Sequence, residues 1–120
     1  MYIEARKQPI KKGEKGMKKK ITDRLSFVLT EADMKRLQIE EGEMIRITAD
    51  VHGMKVVQAR KFINNIINLI RTAFEMVVIH GYNHGMAIKN MLANQFRNDH
   101  ISSKYQDENN QGITHIVVEG

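Results

Sequence analysis

The sequence predicts an α/β fold ordered strand, helix, strand, helix, strand, strand, with a mixed four-stranded sheet and two helices. Three observations predict it. Met76-Val-Val-Ile79 is an apolar run that reads as a strand buried on both faces, and it ends at once in the turn-forming stretch His80 to Gly85. From Ile88 the rhythm becomes helical: Ile88, Met91, Leu92, Gln95 and Phe96 follow i, i+3, i+4, i+7, i+8 spacing, with only Gln95 polar. The same grammar occurs earlier, where a strand over Ile45–Val51 ends in His52-Gly53 and a helix begins near Val56.

Taken in order, residues 1–24 hold the only proline, two glycines and nine of the 19 lysines and arginines, and read as a disordered tail. Residues 25–43 read as a short preface to the folded domain, which spans 44–120. In the preface, Ser26 to Leu29 is extended. Thr30 then caps a helix that carries acids in its first turn, continues through Met34 and Leu37, and ends at Glu40-Glu41-Gly42. Along the first strand Ile47, Ala49 and Val51 share one face, while Arg46, Thr48, Asp50 and His52 share the other. From Val56 to Phe74 the residues Ala59, Ile63, Ile66, Ile67, Ile70 and Phe74 make a helical stripe wide enough to cover a sheet, and Lys61, Asn64, Asn65, Asn68 and Arg71 read as its solvated side. The second helix runs from Met86 to about Arg97. Strands over Ile101–Tyr105 and Ile113–Val118 flank a polar turn and read as a hairpin. Right-handed crossovers make the first two strands parallel, with both helices on one face when the two units wind alike.

Length and composition fit one domain with a modest core, 120 residues of which 42% are hydrophobic. The chain has no cysteine, which excludes disulfides, thiolate metal sites and cysteine nucleophiles. No apolar run approaches the roughly 18 residues of a membrane span, and no apolar segment follows the basic start as in a signal peptide. A cytoplasmic protein without a membrane partner is the expectation. Net charge is +5, but residues 1–24 contribute +6 and the remainder −1. A polybasic segment including Lys18, Lys19 and Lys20 can grip phosphates by counterion release; it can also simply keep a chain soluble.

Both His-Gly turns lie at carboxyl ends of parallel strands, the edge where open α/β sheets collect ligands. Neighbouring strands would bring Asp50, His52, His80 and His84 together. Glycine lets the backbone approach a ligand, helix amino termini favour anions, and histidine moves protons near neutral pH. Aspartate can orient a histidine, activate water or hold a divalent ion. The set suits binding and cleavage of a phosphodiester; it also suits two hydrogen-bonded turn histidines with no further role. Tyr82 at the loop tip is placed to stack on a base. His80-x-x-x-His84 with Asp50 is a weak metal constellation, because no helical turn fixes the spacing. His100 and His115 read as structural, with His115 on the outward phase of the last strand. No Walker motif, Ser/His/Asp array or dinucleotide fingerprint is present.

Ala49-Asp50-Val51-His52-Gly53, then His80-Gly81-Tyr82-Asn83-His84-Gly85, then Gly112-Ile113-Thr114-His115-Ile116-Val117-Val118, in that order, resemble the small MutS-related (Smr) domain. The resemblance covers about Ile45 to Val118. It implies a two-layer βαβαββ sandwich similar to the carboxyl-terminal domain of translation initiation factor three, nucleic-acid binding, and in several members nicking or cleavage of DNA or RNA. By position, Asp50, His52 and Gly53 match the family's first motif, and His80, Gly81 and Gly85 its second. Asn83 stands where the family has its middle glycine, and His84 has no counterpart there. The expectation is thus a monomeric, DNA- or RNA-binding domain. Asp50, His52 and His80 would be the catalytic residues of an endonuclease. Gly53, Gly81, Tyr82, Asn83, His84, Gly85 and Lys18–Lys20 would contact nucleic acid. Mg²⁺ or Mn²⁺ would be recruited with substrate, with no tightly bound cofactor. The alternatives are a non-catalytic nucleic-acid or ribosome-binding module, and a protein-interaction domain.

Overall fold

The computed structural model describes residues 16–81 and 86–120. The elements run α1 (Met17–Ser26), α2 (Glu31–Met34), β1 (Leu37–Glu40), β2 (Ile45–Asp50), α3 (Val56–Leu69), β3 (Phe74–Ile79), α4 (Ala87–Asn94), β4 (Ile101–Gln106) and β5 (Ile113–Val118). One five-stranded mixed sheet has the order β1-β2-β3-β5-β4. β2 and β3 are parallel, with Asp50 beside Ile79, and every other pairing is antiparallel. The α/β class is therefore as expected; among the described residues one strand, β1, and one helix, α1, are added to the elements the sequence suggested.

Alternation places the core on one face of the sheet. Ile45, Ile47, Ala49, Phe74, Met76, Val78, Ile116 and Val118 point into it, and Ala59, Phe62, Ile63, Ile66 and Ile67 of α3 with Ile88, Met91 and Leu92 of α4 close it. The opposite face carries Arg46, Thr48, Asp50, Glu75, Val77, Ile79 and His115 and has no helix layer among the described residues. β3 is thus buried on one face and half-buried on the other, rather than buried on both. Phe74 opens β3 instead of closing the α3 stripe; the helix stops at Ile70, whose backbone turns extended at φ −92, ψ 128.

The amino-terminal part differs most from expectation. The last stretch of the expected tail is α1, held by Ile21 and Leu25 one turn apart, both buried in the same core as the sheet. Lys18 N–H donates to Glu41 Oε1 at 3.0 Å, and Arg24 Nη1 donates to the Leu69 carbonyl at 3.3 Å. Ser26 to Leu29 winds off this helix and is not extended. Thr30 caps α2 as expected, accepting from Asp33 N–H at 3.1 Å. That helix ends after one turn, and Leu37 to Glu40 becomes an edge strand paired Ile39 to Ile47. The preface is therefore part of the sheet.

Side chains tie the far end of the helix layer to the hairpin. Asn98 Nδ2 donates to Asn64 Oδ1 at 2.7 Å and to Asn68 Oδ1 at 3.0 Å. Two of the asparagines expected to face solvent on α3 thus anchor the loop before β4. No helix among the described residues is long and apolar enough to cross a membrane.

Candidate functional site

The register of β2 and β3 brings the two His-Gly turns side by side. Val51 N–H donates to the Ile79 carbonyl at 2.9 Å, and Gly53 and Gly81 both take positive φ, 83° and 74°, that a side chain would resist. A Cβ added at Gly81 would lie 3.9 Å from His52 Cβ, so the turns are in van der Waals reach. Asp50, His52, Gly53, His80 and Gly81 are brought together at one sheet edge. Tyr82, Asn83, His84 and Gly85 lie outside the described residues. Lys18, Lys19 and Lys20 sit exposed on α1, a folded helix and not a tail.

Asp50 and His52 form a dyad. The i, i+2 spacing at the strand end lets Asp50 Oδ1 meet His52 Nδ1 in a short hydrogen bond and also accept the His52 N–H at 3.2 Å. A carboxylate can only accept, so Nδ1 is the donor in this bond, and Nε2 lies outside it. The His52 side chain is 68% exposed, so Nε2 is open to a ligand. A residue that the motifs miss, Arg36, braces the dyad from just before β1. Its Nη1 donates to the Asp50 carbonyl at 3.1 Å and to the His52 carbonyl at 3.4 Å, while Asp50 N–H donates to the Arg36 carbonyl at 2.9 Å. The signal for Arg36 is absent from sequence, since it depends on β1 pairing with β2.

His80, the third residue expected to be catalytic, is held differently from the dyad. The side chain is buried at 7% exposure. Its Nδ1 donates to the Gly81 carbonyl at 2.8 Å and its Nε2 accepts from Thr114 Oγ1 at 2.8 Å. Burial first, and then the Lys89 charge, lower its pKa against the opposing pull of the Gly81 bond, so the ring is neutral. Both ring nitrogens are thus engaged within the protein, and the ring braces the turn. The Gly112 carbonyl completes the turn by accepting His80 N–H at 2.9 Å and Gly81 N–H at 3.1 Å. A Cβ at Gly112 would press on Gly81 Cα at 3.1 Å, which explains glycine there.

His115 takes the outward phase expected of it but is engaged and not free. Its Nδ1 faces Glu75 Oε2 at 3.0 Å and its Nε2 faces Asp107 Oδ1 at 2.7 Å, with Tyr105 stacked on the ring at a 4.9 Å centroid distance. Arg46 Nε reaches the other oxygen of Glu75 at 3.1 Å. Two acceptor-only carboxylates on one imidazole call for both nitrogens to be protonated. Burial alone would lower the pKa of His115, but the bonds to Asp107 and Glu75 outweigh it and raise the value above 6.5. The sign follows. The folded state binds this proton more tightly than the unfolded chain, so the contribution is full below pH 6.5 and is lost as pH rises through the higher folded value. His80, with a lowered pKa, acts in the opposite sense, so the His115 contribution is read by difference. The stability gap between wild type and His115→Gln is expected to be largest near about pH 5 and to shrink above about pH 7, as measured by urea denaturation at each pH.

A cavity of about 460 Å³ lies at the opposite end of β2, lined by Glu40, Glu41, Glu43 and Glu75 among others. Its carboxylates repel phosphate, so it does not extend the His-Gly site. Among the described residues no three His, Asp or Glu side chains converge as a metal cage would. No protein-family model matches this chain, and no curated protein matches it significantly.

Proposed function

We propose that this chain is an Smr-like domain that binds nucleic acid at the paired His-Gly turns and cleaves a phosphodiester there. The observation that carries the reading is the Asp50–His52 dyad, with His52 Nε2 exposed beside a positive-φ glycine turn at the carboxyl edge of two parallel strands. In this reading Asp50 holds Nδ1–H and orients the His52 ring. Nε2 takes the proton of the attacking hydroxyl or water and returns one to the leaving oxygen. The backbone around Gly53 and Gly81 lies close enough for a phosphate to approach. A Mg²⁺ or Mn²⁺ ion arriving with the phosphate would take only Asp50 from this pair, and would supply charge neutralisation at the phosphate. Lys18, Lys19 and Lys20 add attraction for phosphates without reading sequence.

The second reading is a non-catalytic nucleic-acid-binding module, and the engagement of both His80 ring nitrogens favours it, because one of the three expected catalytic groups is withdrawn. A protein-interaction domain is the third. One assay separates them. Labelled single-stranded RNA, hairpin RNA, duplex DNA and branched DNA are incubated at moderate salt, with and without Mg²⁺ or Mn²⁺, beside an Asp50→Ala/His52→Ala variant from the same purification. The expected result is cleavage that falls by about 10²–10⁴-fold in the variant while binding persists. Equal cutting by both proteins, or none by either, retires the nuclease. Absence of salt-sensitive binding retires nucleic acid altogether.

A further inference from the structure

We propose that the outer stripe of α1 is a contact for single-stranded nucleic acid, in which Phe27 stacks on an unpaired base while Lys20 and Arg24 hold neighbouring phosphates. This rests on the nucleic-acid reading above and adds a surface to it. Phe27 directly follows α1 and keeps helical dihedrals, φ −71 and ψ −24. Lys20, Arg24 and Phe27 therefore stand at i, i+4 and i+7 on one stripe, about 10 Å from end to end. The stripe is fixed in place, because Ile21 and Leu25 bury the adjacent face and Arg24 uses one guanidinium nitrogen on the Leu69 carbonyl, the others having no hydrogen-bond partner among the described residues.

Phe27 is the anomaly that calls for a ligand. The other three phenylalanines, Phe62, Phe74 and Phe96, are all at most 4% exposed, whereas Phe27 is 89% exposed and Val28 beside it 53%. An aromatic ring kept in water gives up the burial that the rest of the chain exploits. Its neighbours select the partner. Lys18, Lys19, Lys20 and Arg24 are exposed along the same helix against one acid, Asp23, which pairs with Lys19 at 2.9 Å. Cations in line with a bare aromatic match a backbone of phosphates with an accessible base face. A duplex conceals its base faces in the stack, so the partner is a single strand or a loop. A lipid surface fits less well, because Thr22, Asp23 and Ser26 leave the exposed side of α1 without the broad apolar face that interfacial helices bury.

The test is fluorescence anisotropy of the full chain with labelled oligouridine and oligothymidine of about 20 nucleotides, and a duplex of equal length, at about 150 mM salt. Phe27→Ala is expected to weaken single-strand binding by about 5-fold or more and duplex binding far less. Phe27→Tyr should retain the affinity, and Phe27→Leu, which keeps apolar bulk but no flat ring, should lose it. Lys20→Gln/Arg24→Gln should lower the slope of log affinity against log salt by about 1.4. These side chains are exposed, but Arg24 also holds the Leu69 carbonyl, so the urea midpoint of the Lys20→Gln/Arg24→Gln variant is measured beside its affinity. Equal single-strand affinity of wild type and Phe27→Ala overturns this contact and leaves the nucleic-acid reading standing. No binding of any oligonucleotide at that salt overturns both. Phe27-dependent binding to phosphatidylserine vesicles, with no Phe27 effect on oligonucleotides, assigns the stripe to a lipid and overturns the proposal.

Discussion

Phe74→Ala is expected to lower the unfolding free energy by about 3–5 kcal/mol. Phe74 is fully buried, and as the first residue of β3 it sits in register between Ile45 of β2 and Val118 of β5. Its ring fills the core side of the central strand, where neighbouring strands and α3 leave little freedom to collapse around a void. A domain of this size holds roughly 5–15 kcal/mol in total, so the variant should be marginal. The check is urea denaturation with the dependence on denaturant unchanged and the midpoint moved. Val77→Ala, on the half-buried opposite face of the same strand, should cost less than about 1.5 kcal/mol. A Phe74→Ala cost as small as that would mean that the core at this end of β3 is loosely packed.

Phe74 also shows where sequence reading stops. The α3 stripe of Ala59, Ile63, Ile66, Ile67 and Ile70 was legible, because a helix with one buried face repeats visibly. Phe74 continues that spacing by coincidence, and only the extended backbone at Ile70 removes it from the helix. β1 had its own signal, since Leu37 and Ile39 point inward and Gln38 and Glu40 outward. Four residues after a well-formed Thr30 cap are too few for alternation to outweigh a helix start. α1 carried Ile21, Leu25 and Leu29 at four-residue spacing, but three consecutive lysines dominated its composition. Tertiary burial of those apolar residues decides its state, and a single sequence does not display that partner.

For the site, the local part was legible and the long-range part was not. Asp50 and His52 share a side because a strand alternates, and the turns meet because parallel neighbours align their carboxyl ends. The fate of His80 depended on Thr114, which is 34 residues away and faces it only because β5 pairs with β3. The same pairing decides His115, which meets Glu75 across the sheet and Asp107 from the hairpin turn. Arg36 reaches the dyad through the β1 pairing that the sequence concealed. Residue chemistry was readable throughout, but strand neighbours determined which of those groups stay free for a ligand.

Lys104→Met is expected to cost about 1.5–3 kcal/mol, more than an ordinary surface lysine, through the loss of a cap borrowed from another element. α4 ends at Asn94 with no basic residue in its last turn. Its final carbonyls have no partners within the helix and carry the negative end of the dipole. Lys104 of β4 lies opposite Ile116, and its stem runs under the helix layer so that Nζ donates to the Leu92 carbonyl at 2.6 Å and the Phe96 carbonyl at 2.7 Å. Burial first, and then the nearby Arg97, lower its pKa, yet the two short bonds are those of an ammonium. Methionine keeps the length and apolar volume of the stem and removes every donor, so the variant isolates the cap from the packing. The predicted signature is a lower urea midpoint together with faster amide exchange in the last turn of α4, while Lys61→Met on the exposed side of α3 stays within about 0.5 kcal/mol of wild type. A Lys104→Met protein as stable as the Lys61→Met protein would show that water satisfies those carbonyls equally well. The hairpin would then be held to α4 by apolar packing, with the Asn98 bonds tying the loop before β4 to α3.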